Sequence, residues 1–87
     1  MPLNKKQLDY VAELNSDGKR LFKSGGDKAI LKSLPSRMDK IKELIDNGTK
    51  GKLDMYCQRY EGFYHYMKML EKLAIGCKNG AFDDITY

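Results

Sequence analysis

The chain has 87 residues, with 16 Lys+Arg against 12 Asp+Glu and a formal net charge of +4, which is material for one domain, since two would each be too small to bury a core unaided. A hydrophobic fraction of 41% with 10% aromatics excludes a disordered polar tail, and two cysteines exclude a disulfide framework of the secreted mini-protein kind. No apolar run approaches the ~18 residues of a membrane span and the N-terminus lacks an apolar signal core, so a reduced, soluble, cytoplasmic chain with no membrane partner is expected.

In chain order, Asn4 caps a first helix whose apolar face carries Leu8, Val11 and Ala12. Asn15-Ser16-Asp17-Gly18 has the composition of a turn. Phe22, however, returns to the Leu8/Val11 face if the helix runs on to Lys23, and one internal glycine costs only ~1 kcal/mol relative to alanine. A continuous helix of roughly 30 Å is therefore expected.

Ser24-Gly25-Gly26 breaks that helix. Asp27 caps a short helix through Ala29, Ile30 and Leu31, which Leu34-Pro35 terminates because the residue before proline avoids the helical region. Ser36, followed by Asp39 at the third helical position, starts another short helix with Met38, Ile41, Leu44 and Ile45 on its apolar face, and Asn47-Gly48 ends it.

The strongest signal follows. Leu53, Tyr56, Tyr60, Phe63, Met67, Leu70, Ala74 and Cys77 recur at alternating spacings of three and four, with Asp54, Gln58, Glu61, His65, Lys68 and Lys72 on the opposite side. These stripes predict a helix from about Lys52 to Ile75, roughly 35 Å long. Thr49 is its N-cap, and Gly76 or Gly80 its stop. Its flanking positions hold Cys57, Tyr64, Tyr66, Leu73, Met55, Gly62, Met69 and Gly76, with Glu71 and Arg59 the only charges where a two-stranded coiled coil wants them throughout, so several neighbours must cover it. The segment Ala81–Tyr87 interleaves apolar residues with Asp83 and Asp84, a pattern suited to docking on its own fold or on a partner.

Few residues carry chemistry. His65, the only histidine, sits four residues after Glu61 in a charged stripe, as a surface histidine would. Cys57 and Cys77 would lie about 30 Å apart along a helix, far beyond disulfide reach, and read as small core hydrophobes. No zinc-ligand spacing is present. Tyr56, Tyr60 and Phe63 read as core, with Tyr64 and Tyr66 at a rim; base stacking is the competing use of such rings.

The basic charge is concentrated: residues 1–52 hold twelve Lys+Arg and seven Asp+Glu, a net of +5, whereas residues 53–87 hold four and five, a net of −1. Lys19, Arg20, Lys23 and Lys28 bracket the Gly-Gly break, and Lys50 and Lys52 flank the second glycine loop. Each loop precedes a helix start, where backbone N–H groups favour anions. The Ser33–Ser36 turn with its flanking short helices also admits a helix-turn-helix reading, with Ser36, Arg37, Lys40 and Glu43 on the reading helix.

These readings combine into an all-α fold, a small bundle of three or four helices over residues 1–80 with a long, largely buried C-terminal helix, followed by a short tail at 81–87. One long and two short helices fall short of covering the C-terminal helix. The expectation is therefore a non-enzymatic interaction or regulatory module, a homo-oligomer and most simply a dimer, that binds another macromolecule. Met55, Tyr64, Tyr66, Met69 and Leu73 are its interface candidates. The alternative is a small nucleic-acid-binding accessory protein that sets Lys19, Arg20, Lys23, Lys28, Lys50 and Lys52 against phosphates. No catalytic residue, cofactor or metal is expected.

Overall fold

The computed structural model describes residues 3–46 and 50–75, and their elements are α1 (Lys5–Asp46), α2 (Lys50–Arg59) and α3 (Glu61–Lys72). Asn4 opens α1 with a reciprocal cap. Its Oδ1 accepts the Gln7 N–H at 2.9 Å while Gln7 Oε1 accepts the Asn4 N–H at 3.0 Å, the two-way exchange of a capping box. Helix then runs through Gly18 without interruption, as expected.

A straight helix of 42 residues would be ~63 Å long, yet the longest extent of the molecule is 35 Å. The chain reverses at Gly26, whose φ of 65° and ψ of −152° lie in a region that is essentially glycine's alone. A Cβ there would meet nothing within 4 Å, so backbone geometry rather than space demands the glycine. The break expected at Ser24-Gly25-Gly26 is thus the tip of a helical hairpin with arms at 5–25 and 27–46. Three ion pairs set its antiparallel register: Lys6–Glu43 at 3.2 Å, Glu13–Lys40 at 2.7 Å and Asp17–Arg37 at 2.8 Å.

The second arm corrects two expectations. Pro35 lies inside the helix rather than ending it, so the two short helices are one, and there is no turn at Ser33–Ser36 to make a helix-turn-helix. Pro35 is exposed, and on a helix's solvent side a carbonyl that loses its N–H partner to proline costs less than it would in a core. Ser33 and Ser36 donate to the Ile30 and Ser33 carbonyls at 2.8 and 2.9 Å, back-bonds that accommodate a bend.

The C-terminal helical stretch is present and largely buried, and it bends at Tyr60 (φ −125°, ψ 106°), which separates α2 from α3. Contacts along its length give its direction. Tyr56 and Tyr60 line a groove with Leu8, Val11 and Ala12, Gly62 meets Gly18, His65 meets Phe22, and Lys72 pairs with Asp27 at 2.9 Å. The third strand of helix therefore runs alongside the first arm and antiparallel to the second, an up-down-up bundle. Leu14, Ile30, Ile41, Leu44, Leu53, Cys57, Phe63, Tyr66, Met67 and Leu70 form its fully buried centre. On the first arm the buried stripe is Gln7, Val11, Leu14 and Gly18, with Leu21 partly buried. Leu8, Ala12 and Phe22 lie outside it, because Gln7 and Gly18 occupy core positions that their side chains do not advertise.

The tightest contact is between α1 and α3. A Cβ on Gly18 would stand 2.7 Å from the Gly62 carbonyl carbon, and one on Gly62 would stand 2.6 Å from the Lys19 nitrogen. Tyr60, at the N-cap position, makes no side-chain cap. Asn15, from the first arm, supplies it instead: its Oδ1 accepts the Gly62 N–H at 2.9 Å. At the other end, Ile75 N–H donates to the Leu70 carbonyl at 2.9 Å and Ala74 N–H to Glu71 at 3.1 Å, with Ala74 at φ 57°. This is a Schellman motif with alanine where glycine is usual. Helix α3 thus stops ahead of Gly76. Gly76, Gly80 and Thr49 lie outside the described residues.

Two outcomes follow for stability. Gly18→Ala drives a methyl into backbone and should cost more than about 3 kcal/mol, whereas Gly26→Ala carries only conformational strain and should cost about 1–3 kcal/mol; urea unfolding ranks the two. Ala74→Gly relieves the left-handed alanine and should stabilise by about 1 kcal/mol, read as a rise in melting temperature of about 4–8 °C.

Candidate functional site

The groove between the first arm and α2 is lined by Leu8, Val11, Ala12, Asn15, Tyr56 and Tyr60 and has a volume of about 260 Å³. Leu8 is 43% exposed and Tyr60 37% exposed. The Tyr56 and Tyr60 rings lie 6.0 Å apart and 11° from parallel. Side chains four apart share one face of a helix, so the row that carries Leu8 and Ala12 continues along the first arm. Asn15, Ser16, Lys19, Arg20 and Lys23 line a second, shallower depression there. Asn15 belongs to both, which makes the surface continuous from apolar groove to basic stripe.

The stripe retains positive charge at Lys19 and Lys23, while Arg20 shares Asp17 with Arg37. Asp9 pairs with Lys5, Glu13 with Lys40, and Asp17 with Arg37 and, at 3.4 Å, with Arg20. Lys19 and Lys23 have no ion-pair partner among the described residues. Of the other sequence-derived phosphate candidates, Lys28 lies two residues past Gly26, at the hairpin end of the stripe, and is exposed. Lys50 and Lys52 fall in α2, and their side chains are outside the described residues. Sequence reasoning assigned Tyr56 and Tyr60 to the core. Their presence beside Leu8 and Ala12 depends on how α2 packs, for which the periodicity carried no signal.

The interface candidates separate. Tyr66 is fully buried and Met69 is 6% exposed, so both face the chain's own core. The Tyr66 hydroxyl donates to Ser33 Oγ at 2.6 Å, the direction left once Ser33 has given its proton to Ile30. Met55 and Tyr64 are partly buried, and Leu73 is exposed. The expected dimer rests on a shortage of cover for the C-terminal helix, which the hairpin reduces while Leu73 and Tyr60 stay exposed. The two short helices are one arm of a hairpin, long enough to flank α3.

His65 is more enclosed than a residue in a charged stripe suggests. Its ring stacks on Phe22 at 3.6 Å, meets Tyr64 edge-on at 5.5 Å, and places Nε2 3.7 Å from Glu61. Cys57 is a fully buried small hydrophobe, while Cys77 lies outside the described residues. Burial pushes the Cys57 thiol up from an ordinary 9.0 to about 12, with the Asp54 charge acting the same way and Lys68 opposing. Among the described residues no group of three or more His, Cys, Asp or Glu could hold a metal ion, and no helix is long and apolar enough to cross a membrane.

The thiol has a pH signature. The unfolded chain releases this proton near its ordinary value and the folded chain holds it up to about 12, so the thiol's contribution is whole below about pH 9 and is lost as pH rises toward the folded value. The gap in unfolding free energy between the wild-type chain and Cys57→Ala should accordingly narrow between about pH 9 and pH 11 in urea titrations.

Compared with protein-family models, with curated proteins and with solved structures, the chain gives no match.

Proposed function

We propose that this chain is a non-enzymatic helical binding module that presents the face of the first arm and α2 to another macromolecule. The observation that carries the reading is the continuity of that face, in which an open groove with two stacked tyrosines and exposed Leu8 runs into a stripe bearing Lys19 and Lys23. Exposed aromatic and aliphatic side chains gathered around a concavity, with charge at one side, are characteristic of recognition surfaces. A dimer across the C-terminal helices would have to rest on Met55, Tyr64 and Leu73, since Tyr66 and Met69 are committed to the core, which favours the other side of the bundle as the binding face.

Among the described residues no constellation favours catalysis. His65 has its ring against Phe22, and Glu61 is the acid beside it. The thiol of Cys57 is held protonated in the core, where it is neither a nucleophile nor a ligand.

A photo-crosslinking residue, p-benzoylphenylalanine, at Ala12 in the groove should form macromolecular adducts in cells, whereas the same residue at exposed Asp39 on the second arm should not. Sedimentation equilibrium at micromolar concentration should return the 10.0 kDa monomer. Adducts absent at Ala12, or equal at both positions, would overturn the assignment of this face. A stable dimer would return the partner to the C-terminal helices.

A further inference from the structure

The binding face is chemically one-sided. Asn15 accepts the Gly62 N–H through its carbonyl oxygen, which leaves its amide NH₂ as the group it can offer to the two depressions it lines. Lys19, Lys23 and Arg20 add further donors, while the acids of the first arm are held in ion pairs. Lys19 and Lys23 stand one helical turn apart, ~6 Å along the axis. Cationic donors dominate the face, with the hydroxyls of Ser16 and the tyrosines able to donate or accept, and this favours a ligand rich in acceptors that also carries flat or apolar groups.

We propose that this face binds single-stranded nucleic acid, with bases against Tyr56 and Tyr60 and phosphates along Lys19 and Lys23. The proposal rests on the reading of the same face as the macromolecule-binding surface. Phosphodiester oxygens are acceptors with no donor to leave unmatched, and every base has a π-face, so stacking on tyrosine tolerates any sequence. In a duplex those faces are hidden within the stack, and an open groove between two helices has nothing to insert there. A protein segment would need acids at two successive turns as well as an apolar anchor, whereas a nucleic acid repeats charge and ring at every residue.

The test uses the full chain and fluorescein-labelled oligothymidylate and oligouridylate, followed by anisotropy from about 20 mM salt upward. Saturable binding is expected, with log K falling against log salt at a slope of about −0.7 per phosphate neutralised, so about −1.4 for the lysine pair. Lys19→Ala/Lys23→Ala should flatten the slope, while Lys32→Ala/Lys42→Ala, which removes two exposed cations of the second arm, should leave it unchanged. Tyr60→Ala should weaken binding roughly 5- to 150-fold at unchanged slope. Tyr60→Phe, which keeps the ring, should retain binding and guards against misfolding of the alanine variant. No binding at low salt, or equal loss from both lysine pairs, would overturn the proposal. Adducts to protein alone from Ala12, together with silent oligonucleotides, would do so as well while leaving the binding face in place.

Discussion

Where α3 crosses the first arm, backbone lies against backbone at Gly18 and Gly62 with no side chain between them. Such an approach lets the start of α3 come within reach of Asn15, whose side chain caps it across the interface. Tyr60, extended and without a capping bond of its own, cannot do so. The glycine pair supplies the space and the asparagine satisfies one of the N–H groups that a helix start leaves without an internal partner. Once this point is set, the helical repeat carries the rest of α3 along the hairpin. His65 reaches Phe22, the Tyr66 hydroxyl reaches Ser33, and Lys72 reaches Asp27.

The same contact shapes the surface. A straight helix through Tyr60 would continue the apolar stripe inward, but the bend leaves Tyr60 partly exposed beside Tyr56. The groove against Leu8 and Ala12 therefore lies at the articulation between α2 and α3. Asn15 links the interior to this surface, since its oxygen holds the helix start and it also lines both depressions. The basic stripe continues along the arm whose inner side is pinned by Gly18.

The hairpin decides how much of the chain is covered. Its tip turns at Gly26, through a backbone conformation that is strained for any residue with a Cβ. Its arms are registered by Lys6–Glu43, Glu13–Lys40 and Asp17–Arg37, of which the first two are too exposed to add much stability while the third is mostly covered. With Pro35 accommodated within the second arm, the hairpin flanks α3 on both sides. The exposed side of the first arm is the face we propose for a partner.

Local pattern was enough for the all-α class, the Asn4 cap, the uninterrupted first arm, the break at Gly25-Gly26 and the burial of Cys57. Each depends on residues within a few turns of one another, through capping, helical spacing or glycine's backbone freedom. Pro35 misleads for the same reason, since its cost is local while its exposed position within the second arm is not. The buried row of Gln7 and Gly18, the break at Tyr60, and the groove that brings Leu8 and Ala12 to two tyrosines over forty residues away were settled only in three dimensions. A glycine reads alike in sequence whether it loosens a helix or lets another helix touch it. The difference between Gly18 and Gly26 lies in what a missing Cβ would have met, and only the packed chain supplies that neighbour.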